Sequence, residues 1–311
     1  MLFKDSLRSF ILIAMAFAIL WLFIKNKLNQ TKAILVFTIM ILFDLISVDL
    51  KYVNKDSFER AKNIDIPFQK TEIDIEILKD KGHYRVANFP NPMQDGRTSY
   101  FHNSIGGYHA AKMGRYQELF DYQMSTDVNL EVLNMLNTKY IIFPNQGESS
   151  VQKNQDANGN AWFVSKVTAV ASADAEIKAL DTLKTKQEAV LRPVGSSSVA
   201  SIFEIDSVAK IELTSYDVTK LTYQTTAAKP QFAVFSEIYY KNGWNAYIDG
   251  ALKPHYRVNY VLRGLEVPAG IHKIEFKFEP AVITNGTTIT LVSYVFLLLL
   301  PLGWFFIQKR N

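Results

Sequence analysis

The chain has 311 residues, 48% hydrophobic and 21% charged, with a formal net charge of +4 and no cysteine. That length gives room for roughly two domains, and the lack of cysteine excludes a disulfide framework, a thiolate metal site and a cysteine nucleophile. The small positive charge forms no basic stripe, which argues against nucleic acid, and His83, His102, His109, His255 and His272 lack HExxH-type spacing, so no metal or other cofactor is expected.

The apolar residues concentrate at the two ends. "SFILIAMAFAILWLFI" (9–24) and "AILVFTIMILFDLISV" (33–48) are apolar nearly throughout, a little short of the roughly 20 residues that span a bilayer, which flanking residues complete. No small-residue cleavage site follows the first, so a membrane hairpin is expected rather than a signal peptide. "TTITLVSYVFLLLLPLGWFFI" (287–307) predicts a third span, with Pro301 as a possible kink. Lys25, Lys27 and Lys32 in the short loop, with Lys309 and Arg310 in the tail, place both inside. The expectation is a multi-pass protein of the cytoplasmic (inner) membrane, with the lipid bilayer as partner and residues 51–285 outside. Asp44 within the second span is a candidate functional acid, because intramembrane charge is costly; the structural alternative is a bond to a neighbouring helix.

Between the spans, "TEIDIEILKD" (71–80) alternates like a strand, but Thr71 and Asp74 form a capping box and Ile73 and Ile77 share a helical face, so a helix is expected. "HYRVANF" (83–89) reads as a strand and "NPMQDGRT" as a loop. "GGYHAAKMGRYQELFDY" (106–122) reads as helical after its glycines. "DVNLEVLNMLNTKYIIFP" reads as a helix with Asp127 as N-cap, turning into the strand "KYIIFP". A surface loop "NQGESSVQKNQDANGN", a strand "AWFVSKVTAV" and a helix "ADAEIKALDTL" follow.

From about residue 200 the pattern becomes all-β. "ASIFEI", "AKIELTSYD", "KLTYQTTA", "QFAVFSEIYY", "WNAYID", "KPHYRVN", "YVLRGLEV" and "HKIEFKFEP" are short strands at the spacing of a β-sandwich. In the last, Ile274, Phe276 and Phe278 face one way and Lys273, Glu275 and Lys277 the other. "IDGA" and "VPAG" are turn signals. Trp244, Ala246 and Ile248 share a strand face, so the indole is expected in the core rather than on a sugar platform. The fold class expected is a membrane-anchored α+β protein: three transmembrane helices, an exterior α/β layer and then an antiparallel β-sandwich. Residues 1–50 hold two spans, 51–199 the α/β segment, 200–285 the sandwich, and 286–311 the last span and basic tail.

"SYFHNSIGGYHAAKMGRYQ" is the stretch most suited to a ligand. Gly106 and Gly107 let the backbone approach another group closely. His102, Tyr108, His109, Lys112, Arg115 and Tyr116 surround them. On a helix, His109, Lys112 and Tyr116 would share one face and Tyr108 and Arg115 an adjacent stripe, cations and aromatics suited to a phosphate joined to a sugar or lipid. The alternative is that the tyrosines pack and the cations stay solvated.

The stretches "SIGGYHAAKMGRYQELFD", "VLNMLNTKYIIFP", "GNAWFV" and "GWNAYIDGALKPHYRVNYVLRGLEVPAGIHKIEFKFEP", with the final hydrophobic helix, closely resemble the C-terminal part of the YfhO family of bacterial membrane proteins. Asp44 matches an acidic position in the helix before the family's exterior domain. Family members begin with many membrane helices and are similar to the GT-C class of glycosyltransferases, which use a polyprenyl-phosphate sugar and acidic catalytic residues in an early exterior loop. This sequence has three spans, so the resemblance carries over no catalytic residue. It implies a module supporting glycosylation of cell-envelope polymers, partnered by a polypeptide supplying the missing helices and by a lipid-linked sugar or envelope glycan. The alternatives are a membrane-anchored envelope-glycan or lipid-binding module, or an inactive structural fragment.

Overall fold

A computed structural model of the chain describes every residue except 1, 59, 62–65, 90–91, 146–147, 194–201, 205 and 309–311. The basic tail residues Lys309 and Arg310 thus lie outside the described residues. The chain divides into two units, Met1–Gln69 and Lys70–Asn311.

The first unit is built on two helices, α1 (Leu2–Ile24) and α2 (Gln30–Tyr52). Asn29 caps α2 by accepting the Lys32 N–H. Both helices are long and apolar enough to cross a membrane, and both extend beyond the apolar runs 9–24 and 33–48 because the flanking polar residues continue the helical turn. Asp44 is not solitary. Its carboxylate lies 3.5 Å from the Arg8 guanidinium, which also reaches Ser47 Oγ at 3.4 Å, and Lys51 pairs with Asp5 nearby. These pairs cross-link α1 to α2, which is how a hairpin carries intramembrane charge.

The second unit starts with α3 (Glu72–Ile77), whose N-cap Thr71 and Asp74 make the reciprocal capping box expected from the sequence. A three-stranded sheet follows: β1 (Arg85–Asn88) runs parallel to β2 (Thr138–Asn145), which pairs antiparallel with β3 (Glu148–Lys153). Between β1 and β2 lie α4 (Gly96–Phe101), α5 (Gly114–Gln123) and α6 (Leu130–Met135).

Two larger sheets complete the body. Their strands are β4 (Ala161–Val164), β5 (Lys166–Ala169), β6 (Glu188–Leu191), β7 (Lys210–Tyr216), β8 (Lys220–Ala227) and β9 (Gln231–Ile238). They continue as β10 (Trp244–Ile248), β11 (Ala251–Lys253), β12 (Tyr256–Val258), β13 (Leu262–Val267) and β14 (Gly270–Phe278). Helix α7 (Ala173–Ala179) joins β5 to β6 in a parallel crossover. One sheet has the order β11-β10-β14-β8-β7, the other β4-β9-β13-β12-β6-β5. One residue, Ser165, separates β4 from β5 at opposite edges of the second sheet, so that sheet must roll until its edges meet.

Alternation along β9 and β13 divides their side chains between two cores. Ala233, Phe235, Leu265 and Val267 pack against Tyr223, Ala246, Ile274 and Phe276 of the five-stranded sheet. Phe232, Val234 and Leu262 join a second core with Leu119, Phe120, Leu133, Leu136, Ile177 and Leu180 from the helices. Ala246 and Ile248 are buried as expected, and Trp244 packs partly buried against the same cluster, under the Arg263 guanidinium at 4.2 Å. After β14 the chain enters α8 (Ala281–Gln308), which runs through Pro301 and is the third helix able to cross a membrane.

The structure corrects several boundaries. The six-stranded sheet takes β4, β5 and β6 from before residue 200 and β9, β12 and β13 from after it, so the α/β segment and the sandwich share a sheet. The polar run read as a loop contains β3. "NPMQDGRT" runs into α4, capped by Asp95. Asn129, not Asp127, is the N-cap of α6, because its side chain accepts the Glu131 N–H. Of "ASIFEI", residues 200, 201 and 205 lie outside the described residues; Ile202 bridges to Lys166 and Phe203 is buried.

Candidate functional site at the start of helix α5

The stretch 106–122 is not one helix: α5 begins only at Gly114. Side chains added at the two glycines explain why. A Cβ on Gly106 would collide with the carbonyl of Pro92, and one on Gly107, held at φ +108°, would strike Ser99 Oγ. The backbone is wedged against Pro92 and against Ser99 of α4, and Gly107 has a φ that no helix has. His109 and Lys112 therefore precede α5, and the shared helical face expected for them with Tyr116 does not exist.

A cleft of about 280 Å³ nevertheless gathers five of the predicted residues, Gly106, Gly107, His109, Lys112 and Tyr116, with Arg85 in its wall. Lys112 Nζ donates to Met93 O at 2.7 Å and His109 Nδ1 accepts the Ala111 N–H at 3.0 Å, which fixes this loop locally. Tyr116 donates its hydroxyl to Ile105 O, and burial raises its pKa. The other three residues do other work. The His102 side chain is buried with Nε2 at hydrogen-bond distance, 3.0 Å, from the Asp74 carboxylate, which Arg97 also pairs with. Burial opposes ionisation of Asp74, but hydrogen bonds from Arg97, Thr71 and His102 outweigh it and hold the carboxyl at about 2. Tyr108 is 80% exposed and does not line the cleft. Arg115 lies 3.2 Å from Glu176, whose side chain is fully buried, and 4.4 Å from the Tyr260 ring centroid.

On the far side of Met113 and Tyr116 a second cleft opens, about 310 Å³, between the start of α5, the loop after β9 and the β12–β13 turn. That turn is strained: Asn259 and Tyr260 both have positive φ, 48° and 71°, and for a bulky tyrosine this is a real outlier. Three groups hold Tyr260 there. Glu176 accepts its N–H at 3.2 Å, Arg115 donates to its carbonyl at 3.3 Å, and its hydroxyl donates to Glu118. Burial, then the bond to Glu118, pushes the phenol up to about 12. Met113, at the N-cap of α5, supplies no side-chain acceptor, and the first residues of the helix, Gly114 and Arg115, line the second cleft.

Arg257 in the second cleft went unnoticed in the sequence. It makes no ion pair among the described residues, and its Nε is buried without a hydrogen-bond partner. Burial lowers its pKa, and Arg115 and Arg192 add to that, opposed by Glu176. A larger cleft of about 580 Å³ at the sandwich edge between β4 and β7 sets Asp206 and Glu212 against Lys186 and Lys210. Its charges balance, whereas those around Arg257 do not. The signal for Arg257 was the tripeptide "VNY" just after it: a polar-aromatic corner in a β-rich segment marks a tight, irregular turn. Nothing in the sequence ties that corner to residues 113–116. Among the described residues no group of three His, Asp or Glu side chains could hold a metal.

Curated proteins and solved structures yield no match to this chain. Among the described residues, three helices are long and apolar enough to cross a membrane and the rest is rich in antiparallel sheet, which suits a lipid bilayer environment. Over residues 203–290, from Phe203 through the sandwich into the first turns of α8, the chain matches the family model for the bacterial membrane protein YfhO, the family its sequence resembles.

Proposed function

We propose that this chain is the exterior module of a YfhO-like protein of the cytoplasmic membrane, supporting polyprenyl-phosphate-sugar-dependent glycosylation of cell-envelope polymers without a catalytic centre of its own. The observation that carries this reading is the 280 Å³ cleft, where Gly106 and Gly107 line the wall beside His109, Lys112, Arg85 and Tyr116. Cations around a phosphate, with an aromatic ring and backbone groups for a sugar, are a chemically suitable set. The glycosylation itself comes from the family resemblance and belongs to the assembly, not to a residue described above.

The test replaces the two polar cleft side chains that no buried acid depends on, His109 and Lys112. Arg115 is unsuitable, since its loss would leave Glu176 buried without its cation and test folding instead. His109→Ala with Lys112→Ala should weaken binding of a short-chain polyprenyl-phosphate sugar to the detergent-solubilised protein by about tenfold, the value of one or two charge-assisted hydrogen bonds. Near-unchanged thermal unfolding would show that the fold survives. Equal affinity of wild type and double variant removes the cleft from sugar-phosphate recognition.

A further inference from the structure

The second cleft lies where the membrane surface must be. β14 ends at Phe278 and α8 starts at Ala281, so two residues join the sandwich to the spanning helix. The loop after β9 is tied to that junction. The Glu279 N–H donates to Gly243 O at 2.7 Å, Trp244 pairs across from Phe278, and the Tyr240 ring lies 6.5 Å from the Phe278 ring. The 28 residues of α8 make a rod of about 42 Å, the thickness of a bilayer with its headgroup layers rather than of its apolar core alone. Ala281 therefore sits at the outer edge of the headgroups, and the Tyr239–Gly243 loop sits with it. Tyr240, Lys241 and Trp244 are residue types that settle at that depth.

We propose that this cleft binds the phosphate of an anionic membrane lipid, with Arg257 as its principal contact and Lys241 and Tyr240 on the bilayer side. Arg257 has donor capacity that the described residues leave unused, on a guanidinium whose fork matches two phosphate oxygens. Arg115, Lys241 and Arg257 line this cleft and no carboxylate does; the nearby Glu176 is already paired with Arg115 at 3.2 Å. A cleft of about 310 Å³ accommodates a glycerophosphate headgroup, while the acyl chains remain in the bilayer a few ångströms away. The strained pair Asn259–Tyr260, pinned by Glu176, Arg115 and Glu118, sets one wall and keeps it in place without the ligand. This concerns a different cleft from the sugar-phosphate reading and does not depend on it.

The full chain in neutral detergent is titrated with dihexanoyl phosphatidylglycerol, dihexanoyl phosphatidylcholine and inorganic phosphate. Phosphatidylglycerol should bind about tenfold more tightly than either of the others. Arg257→Gln should weaken it about tenfold and Lys241→Gln about threefold, as expected for one charged contact at the centre and one at the rim. Arg257→Lys, which keeps the charge but loses the fork, should fall between Arg257→Gln and wild type. Lys241 is on a loop and its replacement leaves the cores intact, so it decides the matter even if Arg257→Gln fails to fold. Binding indifferent to Lys241→Gln and to Arg257→Lys overturns the proposal. Inorganic phosphate binding as tightly as the lipid, or phosphatidylcholine equalling phosphatidylglycerol, overturns the assignment to an anionic lipid.

Discussion

His255 shows how one side chain connects packing to pH. Its ring stands 5.1 Å from Tyr239 and 5.7 Å from Phe276, and Nε2 is buried without a hydrogen-bond partner. Burial, reinforced by the Arg263 charge, pulls its pKa down to about 4. Below pH 6.5 the unfolded chain takes up a proton at this position that the folded chain refuses until about pH 4, so folded stability falls as the pH falls through that window. The carboxylates act lower. Burial opposes ionisation of Glu237, yet His83, Arg85 and Arg263 overcome it and hold the group at about 2, so its contribution fades only between about 4.5 and 2. His272, raised by its bond to exposed Asp249, works in the opposite sense and weakly. His255→Leu should therefore flatten the loss of thermal stability between pH 6.5 and 5, while Glu237 leaves that window unchanged. A variant that loses stability on acidification as steeply as wild type would show that the imidazole is not the group responsible.

Among the elements, strand β10 gives the sharpest packing test. Trp244 shares a face with Ala246 and Ile248, lies 5.3 Å from the Phe278 ring and carries the Arg263 guanidinium above it, but it is only partly buried. Trp244→Ala should cost about 2–3 kcal/mol of unfolding free energy, somewhat below the roughly 3–5 of a fully enclosed aromatic. Denaturant unfolding checks this, and a cost near zero would mean that the indole serves a ligand instead. β10 and β14 were readable in the sequence because strict alternation over five or more residues leaves one consistent orientation, and Asp249 and Gly250, both at positive φ, close the hairpin as "DG" predicts. The capping box of α3 was readable because it is a contact over three residues. The stretch 106–113 was not. Its helical spacing of His109, Lys112 and Tyr116 is real in one dimension, but the backbone there answers to Pro92 and Ser99, contacts that no local pattern encodes. β3 was missed for a similar reason: "ESSVQK" lacks an apolar face and is a strand because β2 pairs with it. The candidate site follows the same division. Its glycines announced themselves, whereas Arg257 and Tyr260 reach the cleft through sheet order that the sequence does not display.

For the whole molecule, orientation can be measured with a feature of its composition. The chain has no cysteine, so a single introduced thiol reports its own location without background. Lys25, Lys27 and Lys32 flank the turn between α1 and α2, and short basic loops stay on the cytoplasmic side. If α1, α2 and α8 each cross the bilayer once, the residues between α2 and α8 lie on the opposite face from that turn. The body between them then meets the outer leaflet, where a lipid-linked sugar would be presented to an envelope polymer. Thr126→Cys, exposed between α5 and α6, and Gln30→Cys, exposed at the first residue of α2, sample the two sides without touching either core. In intact cells a membrane-impermeant maleimide should label Thr126→Cys and spare Gln30→Cys until the membrane is permeabilised. The reverse pattern would put the body and both clefts in the cytoplasm, and envelope glycosylation would then be out of reach. Labelling of both thiols in intact cells would place the turn and the body on one side, so that α1 and α2 could not both be single crossings.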